Sequence, residues 1–121
     1  MKKTLIIAFT LLSALTIKAQ KGSIFKGYLY NDEYQVYIEM DFYHNNIKVP
    51  GQEIFGELPG YFGAKRDMRK WLFTSAELKD STTAKLAITN DYGSEDLKAE
   101  LKRNSNGTYT LTRIEGSTMK I

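Results

Sequence analysis

The chain has 121 residues, with 17 lysines and arginines, 14 acidic residues, one histidine and no cysteine. This length predicts one domain and excludes a multidomain enzyme. The lack of cysteine excludes disulfide bonds, a thiol nucleophile and zinc bound by thiolates.

The N-terminal residues have the pattern of a bacterial signal peptide. Lys2 and Lys3 precede an uncharged, largely apolar stretch, residues 4–17, and the small Ala19 precedes the expected cleavage site. This stretch is shorter than the roughly 20 apolar residues of a membrane span. We therefore predict a signal peptide at residues 1–19 and a single mature domain at residues 20–121, located in the periplasm or secreted, without membrane insertion after cleavage.

The net charge of the mature chain excludes one class of partner. Cleavage removes Lys2, Lys3 and Lys18, which leaves 14 basic residues against 14 acidic ones. Because general electrostatic binding to nucleic acid needs a basic excess on the domain, we expect no nucleic-acid partner.

The first half of the mature chain alternates between apolar and polar residues with a period of two. The clearest segment is residues 34–43, in which Tyr34, Val36, Ile38, Met40 and Phe42 form one face. This pattern predicts a strand with one buried and one wet face. Further extended segments are predicted at residues 23–30, 47–49 and 52–58, separated by turns rich in Asn, Pro and Gly.

The second half continues with extended segments at residues 71–78, 84–89 and 108–114. Residues 94–102 fit either a strand or a helix capped by Ser94. We favour the strand, because the Asn106–Gly107 turn signal needs a partner strand before residue 108. Seven or eight short strands predict an all-β fold, a small antiparallel barrel or sandwich with at most one short helix.

No set of side chains predicts catalysis, a metal site or a cofactor. The only histidine, His44, is expected to be a solvated turn residue, and one histidine without cysteine does not make a zinc site. Glu39 and Asp41 share the wet face of a strand and are expected to be solubilising surface charges. The acidic loop at residues 90–96 lacks the EF-hand pattern and is expected to be a plain turn or a helix N-terminus.

Two sets of residues are candidates for binding. Tyr37 and Tyr43 fall on the polar face of the clear strand, where a large amphipathic ring suits glycan or protein recognition. The second set is one basic segment that ends on the only tryptophan, and arginine and tryptophan are favoured at interfaces. It comprises Lys65, Arg66, Arg69, Lys70 and Trp71.

The layout of the mature chain resembles small exported β-rich proteins of Bacteroidetes that have no assigned function. The shared features are Gly27–Tyr28, the alternation from Tyr34 to Phe42, a turn, Val49 and Gly51, and Gly56. The resemblance implies export and a barrel or sandwich, and it supplies no catalytic residue.

The sequence favours an exported, non-catalytic binding protein whose ligand is a glycan, a small apolar molecule or a protein. The alternative is a periplasmic inhibitor or immunity protein that blocks a hydrolase with its basic loop. A ligand-binding barrel is expected to contain a cavity lined by aromatic residues, whereas an inhibitor is expected to have a filled core and a protruding loop.

Overall fold

The computed structural model describes residues 24–119 in full and the backbone of residues 7–9. Two antiparallel sheets make up the fold. The large sheet curls into a half-barrel, with the strand order β1-β10-β9-β8-β7-β6-β3-β2, and the small sheet pairs β4 with β5. The strands are β1 (Ile7–Phe9), β2 (Lys26–Asn31), β3 (Val36–Asp41), β4 (Ile47–Lys48), β5 (Glu57–Leu58), β6 (Gly60–Ala64), β7 (Lys70–Leu78), β8 (Thr83–Asn90), β9 (Asp96–Arg103) and β10 (Tyr109–Gly116).

The predicted all-β class is confirmed. No α-helix occurs in the described residues, and a single 3-10 turn spans Glu53–Phe55. The segment at residues 94–102 lies in strand β9, so the favoured reading is right. The hairpin that follows is also present, but only Gly107 of the Asn106–Gly107 pair has a positive φ, of 89°. The turn is therefore not of type I′, which needs two residues with positive φ.

The hydrophobic core fills the concave face of the large sheet. The period of two holds along β3, where Val36, Ile38 and Met40 are buried. Two register shifts, after Phe73 in β7 and after Arg113 in β10, bend the outer strands around this core. The largest fully buried side chains are Tyr109, Phe25, Phe62, Phe73, Leu29, Ile38, Met40, Leu72, Leu86 and Ile88.

Aromatic contacts hold the two ends of the curled sheet together. The ring of Phe25, just before β2, packs edge-on against Tyr109 of β10 at 6.4 Å between centroids. The Tyr109 hydroxyl donates a hydrogen bond to the carbonyl oxygen of Ile24. The first strand and the last strand of residues 24–119 are therefore joined without any other strand between these residues.

Strand β1 falls within the predicted signal peptide. Ile7–Phe9 pairs with Tyr109–Leu111 along the outer side of β10. The other residues of the predicted peptide lie outside the described residues. Cleavage after Ala19 would remove β1 from the edge of the sheet, but it would remove none of the core side chains named above.

Strand β6 is a central strand that the sequence pattern does not predict, because Gly60 was expected to end an extended segment. Gly60 and Gly63 are needed there for close packing. A Cβ on Gly60 would collide with the backbone carbonyl of Glu39, and a Cβ on Gly63 would lie 2.7 Å from Cζ of Tyr37. The two glycines let β6 approach β3 and the Tyr37 ring, and they also hide the alternation.

Residues 47–58 form a cover over the convex face of the sheet. The expected extended segment at residues 52–58 is wrong for most of its length, since it holds the 3-10 turn and only a two-residue strand. The cover, with the sheet beneath it, makes a second small core of Val49, Tyr61 and Leu72, against which Ile47 and Leu58 pack. One part of the convex face is therefore dry.

Two buried tyrosines make the stability of the fold depend on alkaline pH. Burial raises the pKa of both phenols above the ordinary 10.0, and the Glu39 carboxylate raises that of Tyr61 further. Above pH 10 the unfolded chain releases these protons while the folded protein keeps them, so the unfolded state binds fewer protons and stability falls as pH rises.

We expect the free energy of unfolding to fall by up to about 1.4 kcal/mol per pH unit for each of the two tyrosines, Tyr61 and Tyr109. Urea denaturation at pH 9, 10 and 11 measures this slope. Tyr61→Phe is expected to lower the slope by one tyrosine's share. An unchanged stability between pH 9 and 11 would contradict the burial of these hydroxyls.

Candidate functional site

One end of the half-barrel gathers four chain segments, and we call it the loop end. The β6–β7 loop joins the β2–β3 turn through a hydrogen bond from the backbone N–H of Lys65 to the carbonyl of Gln35, at 2.9 Å. The segment after β10 joins the β8–β9 side through the N–H of Ser117 and the carbonyl of Asp96, at 2.8 Å. Residues far apart in sequence therefore meet at this end.

A pocket of about 270 Å³ opens at the loop end. Its floor consists of Phe62, Ala64 and Trp71 on the concave face of β6 and β7. Phe62 and Trp71 are direct partners in the register of these two strands, so both rings point inward. The rim is charged and polar, and it consists of Arg66, Asp67, Arg69, Glu95 and Thr118.

The Arg69 side chain is held in place by the β8–β9 loop. Its Nε donates to Oδ1 and Oδ2 of Asp91 at 3.1 and 3.2 Å, and its guanidinium lies 4.7 Å from the ring centroid of Tyr92. Asp91 Oδ2 also accepts the backbone N–H of Lys70 at 3.2 Å. The arginine at the rim is thus fixed between a carboxylate and an aromatic ring.

The β8–β9 loop itself is shaped by one buried amide. The Asn90 side chain accepts hydrogen bonds from the backbone N–H groups of Ser94 and Glu95, at 2.8 and 3.2 Å, and donates to the Ser94 hydroxyl at 3.0 Å. These bonds give a turn, one of the two structures expected for residues 90–96. Within residues 24–119, no three side chains of His, Asp or Glu are grouped as metal ligands.

The other basic side chains of the loop point in different directions. Arg66 Nη1 donates to the carbonyl of Tyr34 at 3.0 Å, and Lys70 Nζ donates to that of Met68 at 3.1 Å. Lys65 Nζ lies 4.9 Å above the ring centroid of Tyr30 on the convex face. The loop therefore presents no single cationic patch.

Two large side chains that the sequence reasoning missed stand exposed at the loop end. Met68 is 86% exposed and Tyr92 is 76% exposed, and Arg69 lies between their loops. We call Met68, Tyr92, Arg66 and Arg69, together with the pocket, the loop-end surface. Met68 stood out in the sequence only as an apolar residue inside a basic run, and Tyr92 as an aromatic residue at a Gly-containing turn.

The structure brings together three of the seven predicted site residues, since Arg66, Arg69 and Trp71 all line the pocket. Tyr37 lies on the convex face, half-buried between the rings of Tyr28 and Tyr61. Tyr43 is not on a strand face but in the turn after β3, at the opposite end, where its hydroxyl accepts the backbone N–H of Phe25 at 3.1 Å.

Glu39 and Asp41 are not the solvated surface charges that the alternation suggested. Glu39 is half-buried and accepts a hydrogen bond from the Tyr61 hydroxyl at 3.1 Å. Asp41 is 3% exposed, and its carboxylate accepts the backbone N–H groups of Tyr43 and His44. The expectation fails because the turn after β3 and the tyrosines cover this face.

His44 keeps the exposed position expected of it but gains an unexpected partner. Its side chain is 63% exposed, and Nδ1 lies 2.9 Å from Oδ2 of Asp41. Because a carboxylate only accepts hydrogen bonds, Nδ1 carries the proton and donates it. The imidazole is therefore held in one orientation at the surface.

Comparison with known proteins gives no match to a family model, a curated protein or a solved structure. The described part of the chain contains no helix with the length and apolar character needed to cross a membrane.

Proposed function

We propose that the protein is an exported, non-catalytic binding protein that recognises another protein through the loop-end surface. The observation that carries this proposal is the exposure of Met68 and Tyr92, at 86% and 76%, beside two arginines. Methionine, tyrosine and arginine are enriched in protein interfaces, where a few such residues supply most of the binding energy.

The size and charge of the pocket favour a protein over the other ligands considered. Its volume of about 270 Å³ lies below the roughly 300–1,000 Å³ usual for small-molecule sites. The rim carries Arg66 and Arg69 against Asp67 and Glu95, so it has no net charge to select an ion. A partner side chain that enters the pocket while its neighbours cover Met68 and Tyr92 fits this arrangement best.

The alternative, an inhibitor that plugs a hydrolase with its basic loop, is favoured by one observation. All residues from Lys65 to Arg69 are exposed, so the loop is accessible to a cleft. Against it, the Arg69, Arg66 and Lys70 side chains are held by Asp91 and by backbone carbonyls.

Export through a cleaved signal peptide is part of the proposal, as is the resemblance to exported Bacteroidetes proteins. Lys2, Lys3 and the apolar residues 4–17 support it. N-terminal sequencing of the protein recovered from periplasm or medium is expected to begin at Gln20. A mature protein that retains Met1 would contradict export by cleavage.

Two variants separate the proposal from the alternative once a partner has been captured from periplasmic and secreted extracts and purified. Ala64→Phe fills the pocket floor and is expected to weaken binding by at least about tenfold, a loss of 1.4 kcal/mol. Replacing Lys65, Arg66, Arg69 and Lys70 by alanine removes the basic side chains.

Isothermal titration calorimetry gives the affinities, and circular dichroism checks the fold of each variant. Full binding by Ala64→Phe combined with loss of binding by the quadruple variant would replace the proposal with the basic plug. Full binding by both variants would remove the loop end as the binding surface.

A further inference from the structure

A second groove lies on the convex face, away from the loop end, and it shares no lining residue with the pocket there. It has a volume of about 540 Å³ and runs over the outer side of β2 and β3 below the turn that follows β3. The function proposed above does not use it. Its lining comprises Lys26, Gly27, Tyr28, Glu39, Met40, Asp41, His44, Asn46 and Ile47.

One wall of the groove is an aromatic ring held in a fixed position. Tyr28 is 39% exposed, and its ring stacks on Tyr37 with centroids 5.6 Å apart and planes 26° apart. Tyr37 in turn packs edge-on against Tyr61 at 5.9 Å. This stack of three rings fixes the Tyr28 ring before any ligand arrives, which lowers the entropic cost of binding.

Polar groups of fixed orientation stand beside that ring. Glu39 is directly opposite Tyr28 in the pairing of β2 and β3, and the Tyr61 hydroxyl holds one of its oxygens at 3.1 Å. The buried Asp41 orients His44 through Nδ1, which leaves the Nε2 side of the imidazole toward solvent. Exposed Asn46 adds an amide that both donates and accepts.

These groups match the chemistry of a sugar ring. A pyranose has an apolar C–H face, which packs on an aromatic ring, and a rim of hydroxyls, which bind carboxylate, imidazole and amide groups. The groove offers two carboxylates against one lysine, Lys26, so an anionic ligand such as a phosphate is disfavoured. We propose that this groove binds a neutral carbohydrate, with one pyranose ring packed on Tyr28.

The test is titration of the purified, isotope-labelled protein with cellobiose, maltose, lactose and chitobiose, followed by NMR of the backbone amides. We expect at least one disaccharide to shift the amide signals of Tyr28, Glu39, His44 and Asn46 while leaving Met68 unchanged. Tyr28→Ala is expected to lower that affinity by at least about tenfold, whereas Tyr28→Phe keeps most of it.

Tyr92→Ala is the matched control, because it removes another exposed tyrosine that belongs to the loop-end surface and not to the groove. It is expected to leave sugar binding unchanged, so failure of one site is distinguishable from failure of the other. His44→Ala, expected to weaken sugar binding, provides a second variant if Tyr28→Ala does not fold.

Three results would overturn the inference. The first is the absence of groove shifts with all four disaccharides. The second is equal loss of affinity in Tyr28→Ala and Tyr92→Ala. The third is binding of choline, a cationic probe suited to aromatic rings beside carboxylates, at the same amides in place of the sugars.

Discussion

Replacing Phe73 with alanine is expected to lower the free energy of unfolding by about 3–5 kcal/mol. Phe73 has no exposed surface, lies in the middle of the concave face and packs edge-on against Phe42 at 6.2 Å. Its removal leaves a cavity that the surrounding strands cannot close. Since small domains are stable by only about 5–15 kcal/mol, the variant will be close to unfolding at room temperature.

Phe55→Ala is the control for this change, because it removes the same side chain from the 3-10 turn, where Phe55 is 40% exposed. Its cost is expected to stay below about 1 kcal/mol. Urea denaturation followed by circular dichroism measures both variants. Equal losses in the two variants would contradict the placement of the core on the concave face.

Combining Met68→Asp with Tyr92→Ala is expected to weaken binding of the captured partner by at least about 100-fold, or 2.7 kcal/mol. The pair removes both exposed anchors of the loop-end surface and places a charge where the partner must exclude water. Stability is expected to change by less than about 0.5 kcal/mol, because both side chains are largely in solvent. Calorimetric titration of the purified partner measures the loss.

Ile54→Asp provides the matched control for the double variant. Ile54 is even more exposed, at 91%, but it lies on the cover of the convex face and does not line the pocket. It is expected to bind the partner as the unchanged protein does. A similar loss in this control would mean that a general change of surface charge, and not the loop end, governs binding.

The strands whose two faces meet different surroundings were predictable from sequence. Segments of β3, β8 and β9 have one face on the core and one in water, so their side chains alternate visibly. Strand β6 does not alternate, because Tyr61 on its convex face is as buried as Phe62 on its concave face. Its two glycines, which answer to neighbouring atoms of β3, look locally like turn residues.

The wet face of β3 was wrong for a similar reason. A period of two tells which residues share a face, but it does not tell whether another part of the chain covers that face. Glu39 and Asp41 are covered by the Tyr61 ring and by the turn that carries His44. These contacts come from other segments of the chain, which no window along β3 contains.

The binding surface was predictable in part. The basic run and Trp71 indicated the β6–β7 loop, and three of its residues line the pocket. Glu95 and Thr118 reach the same pocket from distant positions, so only the topology of the sheet reveals them. Tyr37 and Tyr43 looked equivalent in sequence, but the end of β3 at Asp41 places Tyr43 in a turn.

Site-specific photo-crosslinking tests the claim that the loop end is the binding surface most directly. A photoreactive phenylalanine analogue is placed at position 68 in one sample and at position 54 in another, and each protein is irradiated with periplasmic and secreted extract. We predict one discrete adduct from position 68 and none from position 54. The same adducts from both positions, or no adduct from position 68, would contradict the account.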